Sequence, residues 1–396
     1  MPVRTGRRVR TAALGMAVAA GITATVCVAP ASARDAASEP SHRATRQAMD
    51  AAVRDGVPGV VGTAQDGGRV WNGDAGVADL RTGRERRAED RYRVGSITKS
   101  FVATVVLQLE AEGRLSLDDT VDHWLPGVVR GNGHDGTKIT LRMLLNHTSG
   151  IHNYSEDEAF GQRVFSTDFL RHRYDTYTPR QLTDIAMRHA PDFEPGTSWH
   201  YSNTNFILAG MVIEKATGHS YATEIERRVL RPLGLRSTSL PGTDARMPGP
   251  SGRAYSKLSE KTTGTTYDVT ALNPSMGGSA GEMVSDSADL NRFYRALITG
   301  ALLPPRQLKE MTTTVPVGPE SPDNRYGLGL MTTRLPCGTE VWGHDGGIHG
   351  STSVAVTTKD GRHSLAFNFN NDWSGDASAV VRAEFCGTAP VAKPMK

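Results

Sequence analysis

The stretch that decides the fold is YRVGSITKSFVATVVLQLEAEG, residues 92–113. From Ser96 to Glu112 its apolar residues recur at helical spacing, and Gly113 stands where helices often end in a left-handed residue. We therefore predict a buried helix that begins at Ser96. Lys99 follows three residues later on the same face, within reach of the serine hydroxyl. A buried lysine with a lowered pKa can accept or relay that hydroxyl's proton, so the pair predicts a nucleophile with its base.

Ser-x-x-Lys alone is a weak motif, because a helix cap followed by a solvated lysine gives the same letters. Its setting favours the catalytic interpretation. Gly95 directly precedes the serine and lets the backbone approach a substrate closely. The following residues 101–104, FVAT, are apolar enough to bury Lys99.

A second candidate motif is Tyr201-Ser202-Asn203, which lies just before a predicted helix over residues 203–216. A tyrosine can act as a general base if a nearby ammonium lowers its pKa. An asparagine offers both a donor and an acceptor to orient a bound amide. The alternative, an asparagine cap beside a core tyrosine, stays open from this motif alone.

The third motif is WGHDGG, residues 342–347, at the end of a predicted strand. Glycines at 346 and 347 would expose backbone N–H groups, and one of them can complete an oxyanion hole. A glycine-rich turn with a chance histidine remains the alternative for this motif taken by itself.

Strand-like runs lie at both ends of the chain, one of them over residues 326–332, and helical patterns fill the middle, including a short helix over residues 141–145. A further helix with a good N-terminal cap is predicted over residues 287–298. The sequence therefore predicts an α/β (α+β) fold with an antiparallel sheet built from both ends, flanked by helices. We assign the sheet part to about residues 45–114 and 277–390, and an inserted, mostly helical region to about 115–276. Both belong to one domain spanning 34–396.

The N-terminus reads as a secretory signal peptide over residues 1–33. Four arginines precede an apolar run over residues 12–29, and Ala31-Ser32-Ala33 is a small-x-small cleavage site. An uncleaved membrane anchor is the alternative. The whole chain has a net charge of +3, so removal of those four arginines leaves the mature chain at −1. Because the rest of the sequence also has no basic stripe with interleaved aromatic residues, we expect no nucleic-acid partner. We expect a secreted, extracellular protein without a stable membrane anchor.

Two cysteines, Cys337 and Cys386, remain after the leader. An exported chain with one pair most simply forms one disulfide, the alternative being two buried thiols. No Cys/His cluster has metal spacing, so the sequence predicts neither a metal nor another cofactor.

In their order, Ser-x-x-Lys, Tyr-x-Asn and His-x-Gly, the three motifs resemble those of the serine β-lactamase and D-alanyl-D-alanine carboxypeptidase superfamily. Residues 144–151 (LLNHTSGI), 195–196 and 279–281 also look like signatures of that family. The resemblance spans about residues 45–386. It implies a β-lactamase/transpeptidase-like fold and acyl transfer by a penicillin-binding type of serine hydrolase.

The resemblance also implies roles for the motif residues. Ser96 attacks a carbonyl, and Tyr201, coupled to Lys99, takes the proton and returns it to the leaving group. The N–H groups of Ser96 and Gly347 hold the oxyanion. Asn203 orients the acyl side chain, and His344 supports the Tyr201 side of the site by hydrogen bonding.

His344 resembles the secreted carboxypeptidases rather than class C β-lactamases, which usually carry lysine there. The expected function is therefore a D-Ala-D-Ala carboxypeptidase that acts, as a monomer, on peptidoglycan stem peptides. Met331, however, stands where these enzymes tend to hold the substrate carboxylate with an arginine, and Arg334 lies farther along the strand. An esterase, D-amino-acid amidase or β-lactamase of the same fold is one alternative. A catalytically silent penicillin- or cell-wall-binding module is another.

Overall fold

A computed structural model describes residues 42–258 and 264–387 of the chain. The strands in chain order are β1 (Gly59–Asp66), β2 (Arg69–Asp79), β3 (Arg84–Glu85), β4 (Tyr92–Arg93), β5 (Arg130–Gly131), β6 (His134–Asp135), β7 (Tyr255–Ser256), β8 (Tyr267–Asp268), β9 (Val284–Ser285), β10 (Val315–Pro316), β11 (Asn324–Tyr326), β12 (Met331–Arg334), β13 (Glu340–Ile348), β14 (Ser351–Thr358) and β15 (His363–Phe369).

The α-helices in chain order are α1 (Arg43–Arg54), α2 (Thr98–Ala111), α3 (Val121–Trp124), α4 (Leu141–Leu145), α5 (Glu158–Val164), α6 (Phe169–His172), α7 (Pro179–Ala186), α8 (Asn203–Thr217), α9 (Tyr221–Ile225), α10 (Arg231–Leu233), α11 (Gly278–Gly281), α12 (Ser287–Ile298), α13 (Pro305–Thr312) and α14 (Ala377–Cys386). Short 3₁₀ turns cover Gly95–Ile97, Tyr154–Glu156 and Pro274–Met276.

One large antiparallel sheet has the strand order β10-β11-β12-β13-β14-β15-β1-β2-β3. The first and the last of the described strands are neighbours in it, since β1 pairs antiparallel with β15, with Val60 opposite Phe369. This confirms the prediction of an antiparallel sheet built from both ends of the chain.

Both faces of the sheet are covered by helices. On one face α1 and α14 pack over a core that includes Met49, Val60 and Phe367. On the other face lies a larger core that includes Phe101 of α2 and Phe293 of α12. Because α2 is surrounded by other elements, its residues are buried on nearly all sides, as a helix apolar all round requires.

The middle of the chain is helical, as predicted, with α3 to α10 between residues 121 and 233. Helices α4 and α12 have the predicted bounds, and α8 is one residue longer than expected and ends at Gly218 in the left-handed region. The predicted single strand over residues 326–332 is wrong. It is a hairpin of β11 and β12, closed by a hydrogen bond from Gly327 N–H to the Leu330 carbonyl, with Gly329 at φ +64°.

Helix α1 was not predicted. Its buried residues Thr45, Ala48, Met49 and Ala52 have the spacing of an amphipathic helix. All but Met49 are small or polar, so the hydrophobic signal of this segment is weak.

The predicted disulfide is present and joins Cys337, between β12 and β13, to Cys386 at the end of α14, with the Cα atoms 5.6 Å apart. The predicted signal peptide lies outside the described residues. Within the described residues, no helix combines the length and the apolar character needed to cross a bilayer.

Candidate active site

Ser96 lies in the 3₁₀ turn that leads into α2. The residue before it has to be glycine for two reasons. Gly95 has φ +53°, and a Cβ there would lie 2.7 Å from the Gly347 carbonyl oxygen. The missing side chain therefore lets the nucleophile turn sit directly against β13.

Lys99 is completely buried beneath Ser96. Its Nζ lies 2.9 Å from Ser96 Oγ, 2.8 Å from Asn203 Oδ1 and 2.7 Å from the Ala280 carbonyl oxygen. A neutral amine has two N–H donors and one lone pair. Donation to Asn203 and Ala280 uses both hydrogens, and the lone pair can then accept the Ser96 hydroxyl proton.

The electrostatics agree with this hydrogen-bonding pattern. Burial lowers the pKa of Lys99 well below its ordinary value of 10.5, and the charge of Asp345 opposes this only in part. The neutral amine is therefore the form that the site favours, and it is the form that can act as a base.

Tyr201 differs from the expectation drawn from the sequence. Its ring centre is 4.9 Å from Lys99 Nζ, but burial raises the pKa of its phenol above the ordinary value, while a hydrogen bond with Ser96 lowers it only in part. The condition under which Tyr201 would act as a general base, a pKa lowered by a nearby ammonium, is therefore not met, because burial is the largest influence on its phenol. A protonated phenol beside Ser96 can donate or relay a proton, but it cannot be the base that first deprotonates the serine.

Asn203 is the first residue of α8, and both polar atoms of its side-chain amide are hydrogen-bonded within the protein. Oδ1 accepts from Lys99, and Nδ2 donates to Ser155 Oγ at 3.1 Å. The amide thus fixes the lysine, and its predicted contact with the substrate's acyl side remains a prediction.

His344 points from β13 into the same region but does not hydrogen-bond to Tyr201. Its Nε2 pairs with the Tyr326 hydroxyl at 2.9 Å, and the Tyr326 ring packs 6.3 Å from that of Tyr201. Burial lowers the pKa of His344 to about 4, so its ring is neutral at neutral pH. The His344 ring itself lies 6.4 Å from that of Tyr201, but its hydrogen bond goes to Tyr326, a tyrosine that the sequence analysis did not single out.

The two glycines that follow His344 have different surroundings. A Cβ on Gly346 would lie 2.0 Å from the Val94 carbonyl oxygen and 2.9 Å from Ser96 N, so this position has to be glycine for close packing. A Cβ on Gly347 would meet no atom within 4 Å. Gly347 therefore lies on the open side of β13, next to the nucleophile turn.

One edge of β13 is free at this point. Strand β12 pairs with β13 only as far as Gly343, whereas β14 continues beside it to Ile348. Beyond Gly343, the described strands leave the β12 side of β13 uncovered. An extended substrate can align there, with the N–H groups of Ser96 and Gly347 available as the predicted oxyanion hole.

His147 is a supporting residue whose role sequence reasoning missed, although it lies in the quoted stretch 144–151. Its buried ring packs 4.4 Å from the Tyr201 ring, and Nδ1 accepts the Ser202 N–H at 3.1 Å. Burial lowers its pKa well below the ordinary value. A neutral His147 therefore fixes the turn that carries Tyr201.

The cavity at Ser96 is mainly apolar. Among the described residues that line it, none is an arginine, a lysine or a carboxylate; the lining consists of Ser96, Tyr154, Ser155, Phe160, Val164, Phe165, Asn203, Met276, Gly277, Ala280, Gly281, Gly347, Ile348 and His349. Met331 and Arg334 line a separate cavity of about 390 Å³ next to α14, together with His344 and Asp345.

Comparison with known proteins agrees with this geometry. The Beta-lactamase family model matches residues 42–382. A D-stereospecific amidohydrolase from Streptomyces sp. is 62% identical, with a TM-score of 0.84 over 88% of this chain and 99% of that one. D-amino acid amidase from Ochrobactrum anthropi SV3, in complex with D-phenylalanine, is 27% identical, with a TM-score of 0.75 over 88% of this chain and 100% of that one.

Among curated sequences, penicillin-binding protein 4* of Bacillus subtilis is 27% identical over 327 residues, which is 79% of this chain and 68% of that protein. Other curated relatives are matched over a smaller share of their length. The family match covers most of the chain, and the motif residues of that fold lie together around Ser96. The chain therefore belongs to the beta-lactamase family and is a serine hydrolase.

Proposed function

We propose that this chain is a D-stereospecific amidohydrolase that cleaves amides of D-amino acids with apolar side chains. The observation that carries the proposal is the lining of the cavity at Ser96, in which the described residues are aromatic, aliphatic or neutral polar. A carboxypeptidase must hold a terminal carboxylate, for which a bidentate arginine is the usual solution. Such a group is absent from the described lining, and Met331 occupies the position where it was expected.

The similarities support an amidase over the carboxypeptidase favoured by sequence reasoning. The chain resembles a D-stereospecific amidohydrolase over nearly the whole of that protein, and a D-amino acid amidase less strongly. The similarity to a penicillin-binding protein, at 27% identity, is also weaker than that to the D-stereospecific amidohydrolase, at 62%.

The proposed reaction starts with proton transfer from Ser96 Oγ to the neutral Lys99 amine. Oγ then bonds to the amide carbonyl carbon, and the N–H groups of Ser96 and Gly347 stabilise the oxyanion. The Tyr201 phenol, which interacts with the Ser96 hydroxyl, relays the proton to the leaving nitrogen as the C–N bond breaks. Water then attacks the ester on Ser96 and releases the D-amino acid.

The direct test is ammonia release from D- and L-phenylalanine amide, measured as kcat/KM. We expect the D-enantiomer to be favoured by at least about a hundredfold, near 2.7 kcal/mol in transition-state free energy. Ser96→Ala should abolish release from both, and Ser116→Ala, a serine outside the site, serves as the matched control. Equal rates for the two enantiomers would remove the stereospecific assignment.

A second comparison separates the amidase from a carboxypeptidase. A D-Ala-D-Ala peptide and its C-terminal amide should be cleaved at similar rates. The reason is that the described lining of the cavity at Ser96 has no arginine or lysine to bind the carboxylate. A loss of about tenfold or more on amidation, about 1.4 kcal/mol, would indicate a charge-assisted hydrogen bond to that carboxylate and restore the carboxypeptidase assignment.

A further inference from the structure

His349 lies in the turn between β13 and β14, two residues after Gly347, and is only 6% exposed. Its Nε2 donates to the Val164 carbonyl oxygen at 2.6 Å. Its Nδ1 lies 3.5 Å from Asp372 Oδ2, and the same carboxylate oxygen accepts the Gly350 N–H at 3.0 Å. The ring is therefore fixed from two sides.

The bond to Val164 joins two parts of the molecule that are far apart in sequence. Val164 is the last residue of α5, and the final carbonyl groups of a helix have no partner within that helix. His349 supplies the missing donor from the turn that directly follows the strand carrying Gly347. The end of α5 is thereby held at a fixed distance from the oxyanion side of the site.

The segment held in this way forms the apolar wall of the cavity at Ser96. Val164 and Phe165 both line that cavity. Phe165 is 52% exposed, so burial alone does not fix it. Its ring centre is 5.6 Å from that of His349, and the His349 ring also lies 4.1 Å from that of Phe169.

We propose that His349 is a positioning residue that holds the Val164–Phe165 wall against the oxyanion strand and thereby sets the preference for large apolar acyl groups. The inference rests on the proposed function only in placing the acyl side chain of the substrate along this wall. Without the hydrogen bond to Val164, the end of α5 moves relative to Gly347, and a bulky acyl group loses its contact surface. A small acyl group does not depend on that contact.

The test uses p-nitrophenyl esters, because a serine hydrolase can be assayed on them whether or not it cleaves amides. The quantity measured is the ratio of kcat/KM for the phenylacetate to kcat/KM for the acetate. His349→Ala should lower this ratio about tenfold, mainly through KM for the phenylacetate, within the range for a lost apolar contact. His349→Gln keeps a donor for Val164 and should restore part of the ratio, and His219→Ala, a histidine outside the site, should leave it unchanged.

An unchanged ratio in His349→Ala, or an equal loss on both esters, would overturn the inference. If that variant does not fold, Phe165→Ala provides the same readout on a half-exposed side chain, and an unchanged ratio there would overturn it too. Failure to hydrolyse D-phenylalanine amide would instead count against the proposed function, so the two failures are distinguishable.

Discussion

The environment of Lys99 makes a residue-scale prediction about pH. The base must be neutral, and an amine with the ordinary pKa of 10.5 would lose about tenfold in its neutral fraction for each pH unit below that value. Because burial depresses the pKa of Lys99, kcat/KM should stay level as the pH is lowered over the units just below 10.5, and fall only when the pH drops through the lowered pKa. A steady tenfold loss per unit over that interval would show that Lys99 titrates as an exposed lysine.

Tyr201 allows a second prediction, which depends on the leaving group. A protonated phenol matters most when the leaving nitrogen needs a proton, whereas p-nitrophenolate departs without one. Tyr201→Phe should therefore lower amide hydrolysis by about 10² to 10⁴, the range for losing an acid-base group, and lower ester hydrolysis much less. Parallel rate measurements on both substrates check this. An equal loss on the two would assign Tyr201 to activation of Ser96 instead.

At the scale of single residues, the sequence motifs predicted which side chains come together but not how each is protonated. Ser96, Lys99 and Asn203 lie within hydrogen-bonding distance, as the motif order indicated. The raised pKa of Tyr201 depends on burial by residues from several elements. The pairing of His344 with Tyr326 depends on a hairpin that periodicity alone did not reveal.

At the scale of elements, the site depends on how closely β13 approaches the turn before α2. Gly346→Ala would place a methyl group 2.0 Å from the Val94 carbonyl oxygen, a backbone atom that cannot move without displacing Ser96. We expect a loss of roughly 1–3 kcal/mol in the free energy of unfolding, together with a large loss of activity. Denaturant unfolding and ester hydrolysis measure the two effects.

Gly68 is the matched control for that substitution, since a Cβ there meets no atom within 4 Å. Gly68→Ala should leave both stability and activity close to those of the unchanged protein. Full activity in Gly346→Ala would contradict the close contact between β13 and the nucleophile turn.

Element prediction was accurate where hydrophobic periodicity is strong and failed where it is weak. The bounds of α4 and α12 follow from apolar residues at helical spacing and from capping side chains, such as that of Asp286 at α12. Helix α1 was missed because the residues it buries are mostly small. The β11–β12 hairpin was missed because its turn lies within an apolar run, where only the glycines mark it.

At the scale of the whole molecule, a buried carboxylate links three elements that are distant in sequence. Glu384 of α14 accepts hydrogen bonds from Thr45 of α1 at 2.6 Å and from His363 of β15 at 2.7 Å. Burial by itself would raise the pKa of Glu384, but the hydrogen bonds, those of His363 and His42 first, lower it to about 2.

This shift predicts how stability depends on pH. Since the folded pKa of Glu384 lies below the ordinary value of 4.5, its contribution is fully present above about pH 4.5 and is lost as the pH falls through about 2. The contribution is at most about 3 kcal/mol. Glu384→Gln should therefore flatten the acid side of a plot of unfolding free energy against pH, whereas Glu89→Gln, at an exposed position, should not. An identical acid slope in both variants would contradict the proposed linkage.

The central claim is that Ser96 is the nucleophile of this hydrolase, and covalent labelling tests it most directly. The protein is treated with a fluorophosphonate, digested, and analysed by peptide mass spectrometry, alongside Ser96→Ala and the Ser116→Ala control. We predict a single adduct on the peptide that contains Ser96, the same adduct in Ser116→Ala, and none in Ser96→Ala. An adduct that persists in Ser96→Ala, or that maps to another residue, would contradict the account.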